Sequence, residues 1–332
     1  MKVNDFEKIS IKEFEEGDKG EWDEFIDCSK NGTFIHKIDY LHYHLDRFKD
    51  CSLIVKKKNR VVALMPGNIE GSTFYTHKGL TYAGLLILPE TKIGEVIMCF
   101  NMINHYLKEK KQIRKVIYRS IPYIYSSIPS QEDEYVLFLL EAKLISSGLS
   151  SVICKDERIP FTSLRKRGIK KAKRNELEIR TDSCYEDFWR VLTENLNKKH
   201  NTNPIHTLSE IQKLNSLFKE NIQLFSVYYK NECIAGVVMY ISKNVAHVQY
   251  ISASDKGKQM SALDYLFNYL INQVFINKMY FDFGTSVENN GFNLNEGLVF
   301  QKQGFGARCV LYQQFEYDVN RTLVLSKEVQ KI

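Results

Sequence analysis

The 332 residues, 44% of them hydrophobic, allow a sizeable core and, at roughly 100–200 residues per domain, two domains. No apolar run approaches the ~20 residues that span a bilayer, and Met1 to Lys8 lack the apolar stretch of a signal peptide, so a cytoplasmic location is expected. The net charge of +6 resides between 165 and 180, where eight Lys/Arg oppose Glu176 and Glu178; this argues against a uniformly basic binder of duplex DNA and leaves either a local site for a phosphate-bearing ligand or a solvated helix face.

In chain order, residues 21–29 and 38–48 carry helical apolar spacing, and Ser52–Lys56 with Arg60–Met65 predict a hairpin closed at Pro66 and Gly67. Thr73–Tyr75 and Leu80–Leu88 are expected to be extended. Lys92–Lys110 is expected as a helix, Lys115–Ser120 as a buried strand and Gln131–Ser147 as a helix, with a strand near Leu149–Cys154. Residues 155–162, charged and containing Pro160, are the expected linker. The second half predicts helices at 163–175, Tyr185–Asn197 and Ser209–Glu220. A hairpin of Gln223–Tyr229 and Cys233–Ile241 follows, then a strand at Val245–Ser252, a loop at Ala253–Met260, a helix at Ser261–Phe275 and a strand at Met279–Phe283. Both halves place a similar hairpin at a similar point, so the expected fold is α/β (α+β). It consists of two tandem units, 1–155 and 156–332, each a mixed, mostly antiparallel sheet flanked by helices.

The seven cysteines are scattered singly and the eight histidines form no metal-binding spacing, so neither a disulfide framework nor a metal is expected. Asp282-Phe283-Gly284 spells a kinase tripeptide, but the catalytic loop and glycine-rich loop that would give it meaning are missing.

Five stretches together resemble the tandem GNAT family of acyl-CoA N-acyltransferases, whose branches include the Fem aminoacyltransferases and CelD-like acetyltransferases. They are Arg167–Asn175, Ile234-Ala235-Gly236, His247-Val248-Gln249-Tyr250, Tyr280–Gly284 and Lys302–Arg308. The likeness is ordered over the second half and looser over the first. It implies transfer of an acyl group onto an amine, with acyl-CoA (acetyl-CoA) as co-substrate and no metal in one branch, and aminoacyl-tRNA as donor in the other. The acceptor class implied is an amino sugar or an envelope or polysaccharide precursor. Lys199-His200-Asn201-Thr202 differs from the Arg and Gly-containing turn of Fem enzymes, and their helical-hairpin insertion is missing. Both differences point away from bridge formation.

Acyl transfer needs a donor anchor, a proton acceptor and oxyanion stabilisation. The resemblance puts the anchor at Ser254, Asp255, Lys256, Gly257, Lys258 and Gln259, where backbone N–H groups at a helix start would face a diphosphate; an exposed loop capping a helix is the plain structural alternative. It also puts Lys302 near the acyl carbonyl. His206 is the expected base, with His200 and His247 behind it, because imidazole titrates near neutral pH. Strand alternation predicts His247 and Gln249 on one face and Val248 and Tyr250 on the other, the polar face forming a cleft wall. Asp282 is expected either to orient a ligand group or to cap a loop. Ser286, Glu288, Asn295 and Arg308 complete the expected acceptor contacts.

Overall fold

The computed structural model describes residues 9–181, 184–321 and 323, apart from the side chains of 199 and 200. The chain divides into two compact units, one of residues 1–148 with 311–332 and the other of residues 149–310. The cut expected at 155/156 thus falls at 148/149, and the C-terminal stretch groups with the first unit. The reason is strand pairing: Gln314 to Asp318 run antiparallel to Arg119 to Lys115.

In the first unit, an antiparallel sheet takes the strands Ile9–Glu13, Leu53–Lys57, Arg60–Met65 and Leu86–Ile87 in that order. Its core joins Leu53, Val55, Ala63 and Met65 to Val96, Phe100 and Ile103 of the helix Ile93–Lys111, whose Gln112 ends it in a left-handed conformation. Lys115–Arg119 runs parallel to Thr73–Tyr75. Only two residues of the expected extended run 80–88 pair as a strand. The helix expected to reach Ser147 stops at Leu139, because Glu141 turns left-handed (φ 49°) and the strand Lys143–Cys154 begins at once.

In the second unit the order is Lys143–Cys154, Tyr280–Thr285, Val245–Ala253, Glu232–Ile241, Ile222–Tyr229 and Glu178–Thr181. All neighbours are antiparallel except Tyr280–Thr285 with Val245–Ala253, which are joined by a crossover through the helix Ala262–Tyr269. The core is rich in aromatic rings, with Phe267 and Phe283 in contact with each other and each in contact with Phe281 and Phe305. Each unit contains a hairpin turned by Lys-Asn with both residues at positive φ, Lys58-Asn59 and Lys230-Asn231. That is the backbone of the two-residue turn whose twist suits paired strands. The helix Ser163–Arg174 follows the irregular 155–162 stretch, as the sequence predicts. The expected loop 253–260 is instead the short helix Asp255–Gln259, started by Ser254, whose hydroxyl accepts the Gly257 N–H at 3.1 Å.

Candidate functional site

The parallel strands of the second unit pair over only three positions, Val245↔Tyr280, Ala246↔Phe281 and His247↔Asp282, and then part. Two local features accompany the parting. On one strand, Val238 pairs with Tyr250 and Met239 with Val248, so Gln249 is an extra residue, a bulge. On the other, Gly284 adopts φ 75°, and a Cβ there would lie 3.5 Å from the His247 ring. The bulge revises the expected alternation: Tyr250 shares the Val238, Tyr240 and His247 face, and Gln249 leaves the regular pattern.

At the last paired position, Asp282 is fully buried, and its Oδ2 lies 2.8 Å from His247 Nδ1. Its Oδ1 accepts the Gly284 N–H at 2.9 Å and a hydrogen bond from the Ser150 hydroxyl. An ionised carboxylate only accepts, so it fixes the His247 proton on Nδ1 and leaves Nε2 with its lone pair. This is the arrangement of a base with an orienting acid.

Lys302 is buried and donates to the carbonyls of Gly284 at 2.8 Å and Thr285 at 2.9 Å. Burial pushes its ammonium down to about 8, with Asp282 pulling the other way. The helix that carries it, Glu296–Gln303, starts at Asn295, whose Oδ1 accepts the Leu298 N–H at 3.1 Å. Beside this clamp, Ser286 is buried with an unpartnered hydroxyl, while its backbone bonds Leu149 and Asn295. Lys302, Asp282, His247 and Ser286 thus come together around one strand end.

The other expected residues lie elsewhere or have structural work. His206 is buried with Nδ1 2.5 Å from the Tyr250 hydroxyl, and Tyr250 also packs edge-on against Trp189. Asn295 caps a helix and donates through Nδ2 to Glu288 Oε1 at 3.3 Å. Arg308 is exposed and bonds the neighbouring Ala307 carbonyl. His200 closes the helix Tyr185–His200, and its side chain lies outside the described residues. Sequence reasoning missed Ser150, which nothing in the local pattern marks; only its pairing opposite Thr285, past the register shift after Asp282, reveals it.

At the expected anchor, Asp255 is held by Lys198 at 2.6 Å and Lys258 at 3.0 Å, which bring its carboxyl down to about 2. Lys256 pairs with Glu232 and lies over the Tyr229 ring, while Gln259 is exposed. Beside these residues is a cavity of about 340 Å³ walled by Arg165, Gly257, Lys258, Ser261 and Asp264. Arg165 bonds Asp264 at 2.6 Å through Nη1, yet its buried Nε has no partner. The Arg165 and Lys258 side chains in the wall of a cavity beside a helix start fit a phosphate group. Among the described residues no cluster fit to hold a metal occurs, and no helix is long and apolar enough to cross a membrane.

The mixed sheet of the second unit thus splits after three parallel pairs, with an imidazole–carboxylate pair and a buried cation at the split. Residues 163–291, within the second unit, match the family model of the acetyltransferase (GNAT) domain. Among solved structures the chain is similar to FemX, with 10% identity over 97% of this chain and 99% of that one and a TM-score of 0.65. It is also similar to a tandem GNAT protein from the clavulanic acid biosynthesis pathway, with 8% identity over 94% and 99% and a TM-score of 0.54. L-PGS from Bacillus licheniformis matches with 14% identity over 81% and 83%, again at 0.54. At these identities the likenesses concern the fold. No curated protein matches the chain in sequence.

Proposed function

We propose that this chain transfers an acyl group, acetyl in the simplest case, from acyl-CoA to an amine. The proposed acceptor is an amino sugar or another envelope or polysaccharide precursor. The reading rests chiefly on the His247–Asp282 pair where the parallel strands part. Arg165 and Lys258 are the residues that would hold the donor diphosphate, and the thioester supplies an acyl carbon ready for attack. As the amine nitrogen bonds that carbon, His247 Nε2 takes the proton the nitrogen sheds. Asp282 steadies the resulting imidazolium. Two of the three Lys302 donors go to Gly284 and Thr285; the third is available to the developing oxyanion. When the C–S bond breaks, the proton passes from His247 to the departing thiolate.

The test follows free thiol release from acetyl-CoA with a panel of amino sugars and their nucleotide derivatives, alongside calorimetric titration of CoA. Thiol release that needs both His247 and an amine is the expected result. Absence of CoA heat, together with no release across the panel, overturns the donor.

A second reading takes the acyl group from an aminoacyl-tRNA. Lys166, Lys170 and Lys173 favour it, since all three are exposed on the helix Ser163–Arg174 and have no ion-pair partner among the described residues. It requires transfer from charged tRNA with steep salt dependence.

A further inference from the structure

A cleft of about 570 Å³ lies in the second unit, away from the base and cation of the proposed site. Its floor is apolar: Ile153, Phe161, Ile169, Ile271 and Phe305 face it. Its rim is cationic, with Arg158, Lys166, Lys170 and Lys173 in the lining and no Asp or Glu among the lining residues. The lysines are spaced i, i+4 and i+7, which brings all three to one face of the helix Ser163–Arg174. Arg158 is fixed at the opposite wall by bonds to Asn272 Oδ1 and the Ile271 carbonyl, both at 3.2 Å. A solvated helix face needs no apolar floor between its charges and a facing arginine. A site for a bare anion would place polar donors at the bottom, where here Phe305 and Ile153 are buried.

From this pairing of an apolar floor with a one-sided cationic rim, we infer that the cleft binds a phosphate-bearing amphiphile. Its hydrocarbon lies on Ile153, Ile169, Ile271 and Phe305, and its phosphate meets Lys166, Lys170, Lys173 and Arg158. Ile159, which lines the mouth and is 40% exposed, extends the apolar surface outward along the path a chain would take. The same chemistry is offered by a lipid at a membrane surface and by a free phosphorylated amphiphile.

The full chain is titrated with monomeric dihexanoyl phosphatidic acid, with inorganic phosphate, and with vesicles of phosphatidylcholine containing or lacking phosphatidic acid. A variant carrying Lys166→Gln, Lys170→Gln and Lys173→Gln is compared, its fold checked by circular dichroism. The expected result is binding of the phosphatidic acid, with inorganic phosphate far weaker. The triple variant loses about fivefold per lysine, on the order of 100-fold together. A second variant, Ile169→Asn, weakens phosphatidic acid binding and leaves the response to inorganic phosphate unchanged. Binding of the monomeric lipid identifies a free amphiphile as sufficient; binding of acidic vesicles alone identifies a membrane surface, and either outcome supports the site. Unchanged lipid binding by the triple variant overturns it, as does inorganic phosphate binding as tightly as the lipid. Loss of tRNA binding in the triple variant, with no lipid binding by the parent chain, also overturns it and favours an RNA contact. None of these readouts depends on acyl transfer, so the proposed reaction stands or falls separately.

Discussion

His247 and Asp282 form the last pair of a parallel ladder only three positions long, and their side chains meet at 2.8 Å where the strands part. The register places the acid and the imidazole on the same face. The buried carboxylate is further held by Ser150 and by the Gly284 N–H, so the imidazole is oriented before any substrate arrives.

Asp282→Asn is expected to lower kcat on the order of 10²- to 10⁴-fold while KM changes little, because the amide no longer fixes the proton on Nδ1. His247→Gln should fall in the same range, and the double variant should be scarcely worse than either single one. Additive losses would mean that the two residues do not work as a unit. Steady-state kinetics on an amine acceptor, with thermal unfolding as a control, measures this.

Lys302 makes opposite pH predictions for activity and for stability. Its folded value, about 8, lies below the ordinary 10.5, so between these values the unfolded chain binds more protons. The cost of burying the charge, about 3 kcal/mol, is present in full below pH 8 and fades as pH rises towards 10.5. Activity that needs the ammonium should instead fall as pH rises through about 8. Lys302→Met should remove that alkaline limb along with most of the rate, and a pH–rate profile compared with denaturant unfolding at pH 7 and 9.5 separates the two effects.

The two hairpins and the strand that carries Asp282 were legible in the sequence because apolar runs and Lys-Asn turns are local signals. Lys302 and Asp282 stood out through their glycine and aromatic neighbours. The preference for His206 over His247 had no local remedy. The strand segment His247-Val248-Gln249-Tyr250 reads as plain alternation, and the bulge that resets it exists only in the pairing with Val238 and Met239. Ser150 lies 132 positions from Asp282, and Arg165 was visible only as one charge in a basic run, not as a donor left orphaned beside a cavity. The Ala253–Met260 segment was expected as a loop, whereas Asp255–Gln259 is a short helix in which Gly257 packs closely on the Ile234 carbonyl.

The first unit should be acid-labile. Burial pushes His36 and His77 down to about 3 and His44 to about 4, and His44 and His77 rings lie 5.2 Å apart. Because these folded values lie below the unfolded 6.5, the unfolded chain takes up protons first. The stability is complete above pH 6.5 and is lost progressively as pH falls towards 4, by about 2 kcal/mol per histidine at pH 5. Asp133, lifted by burial to about 7, acts in the opposite sense and offsets part of the loss. Urea unfolding at pH 7 and pH 5 should show a net decrease that His77→Gln reduces; equal stability at the two pH values would refute it.

Two glycine-to-alanine changes should have opposite signs. A Cβ on Gly257 would lie 2.2 Å from the Ile234 carbonyl oxygen and 3.0 Å from its carbon, and backbone cannot swing aside as a side chain can. Gly257→Ala is therefore expected to cost about 1–3 kcal/mol and to shift Lys256 and Lys258, proposed to anchor the donor, with the helix that carries them. A Cβ on Gly297 meets nothing closer than Asn295 Oδ1 at 3.7 Å, and the residue sits inside the helix Glu296–Gln303. Gly297→Ala should then stabilise by roughly 0.5–1 kcal/mol through helix propensity. Because that helix carries Lys302, it should do so without loss of activity. Chemical denaturation of both variants, read with calorimetric CoA titration, distinguishes a packing glycine from a permissive one.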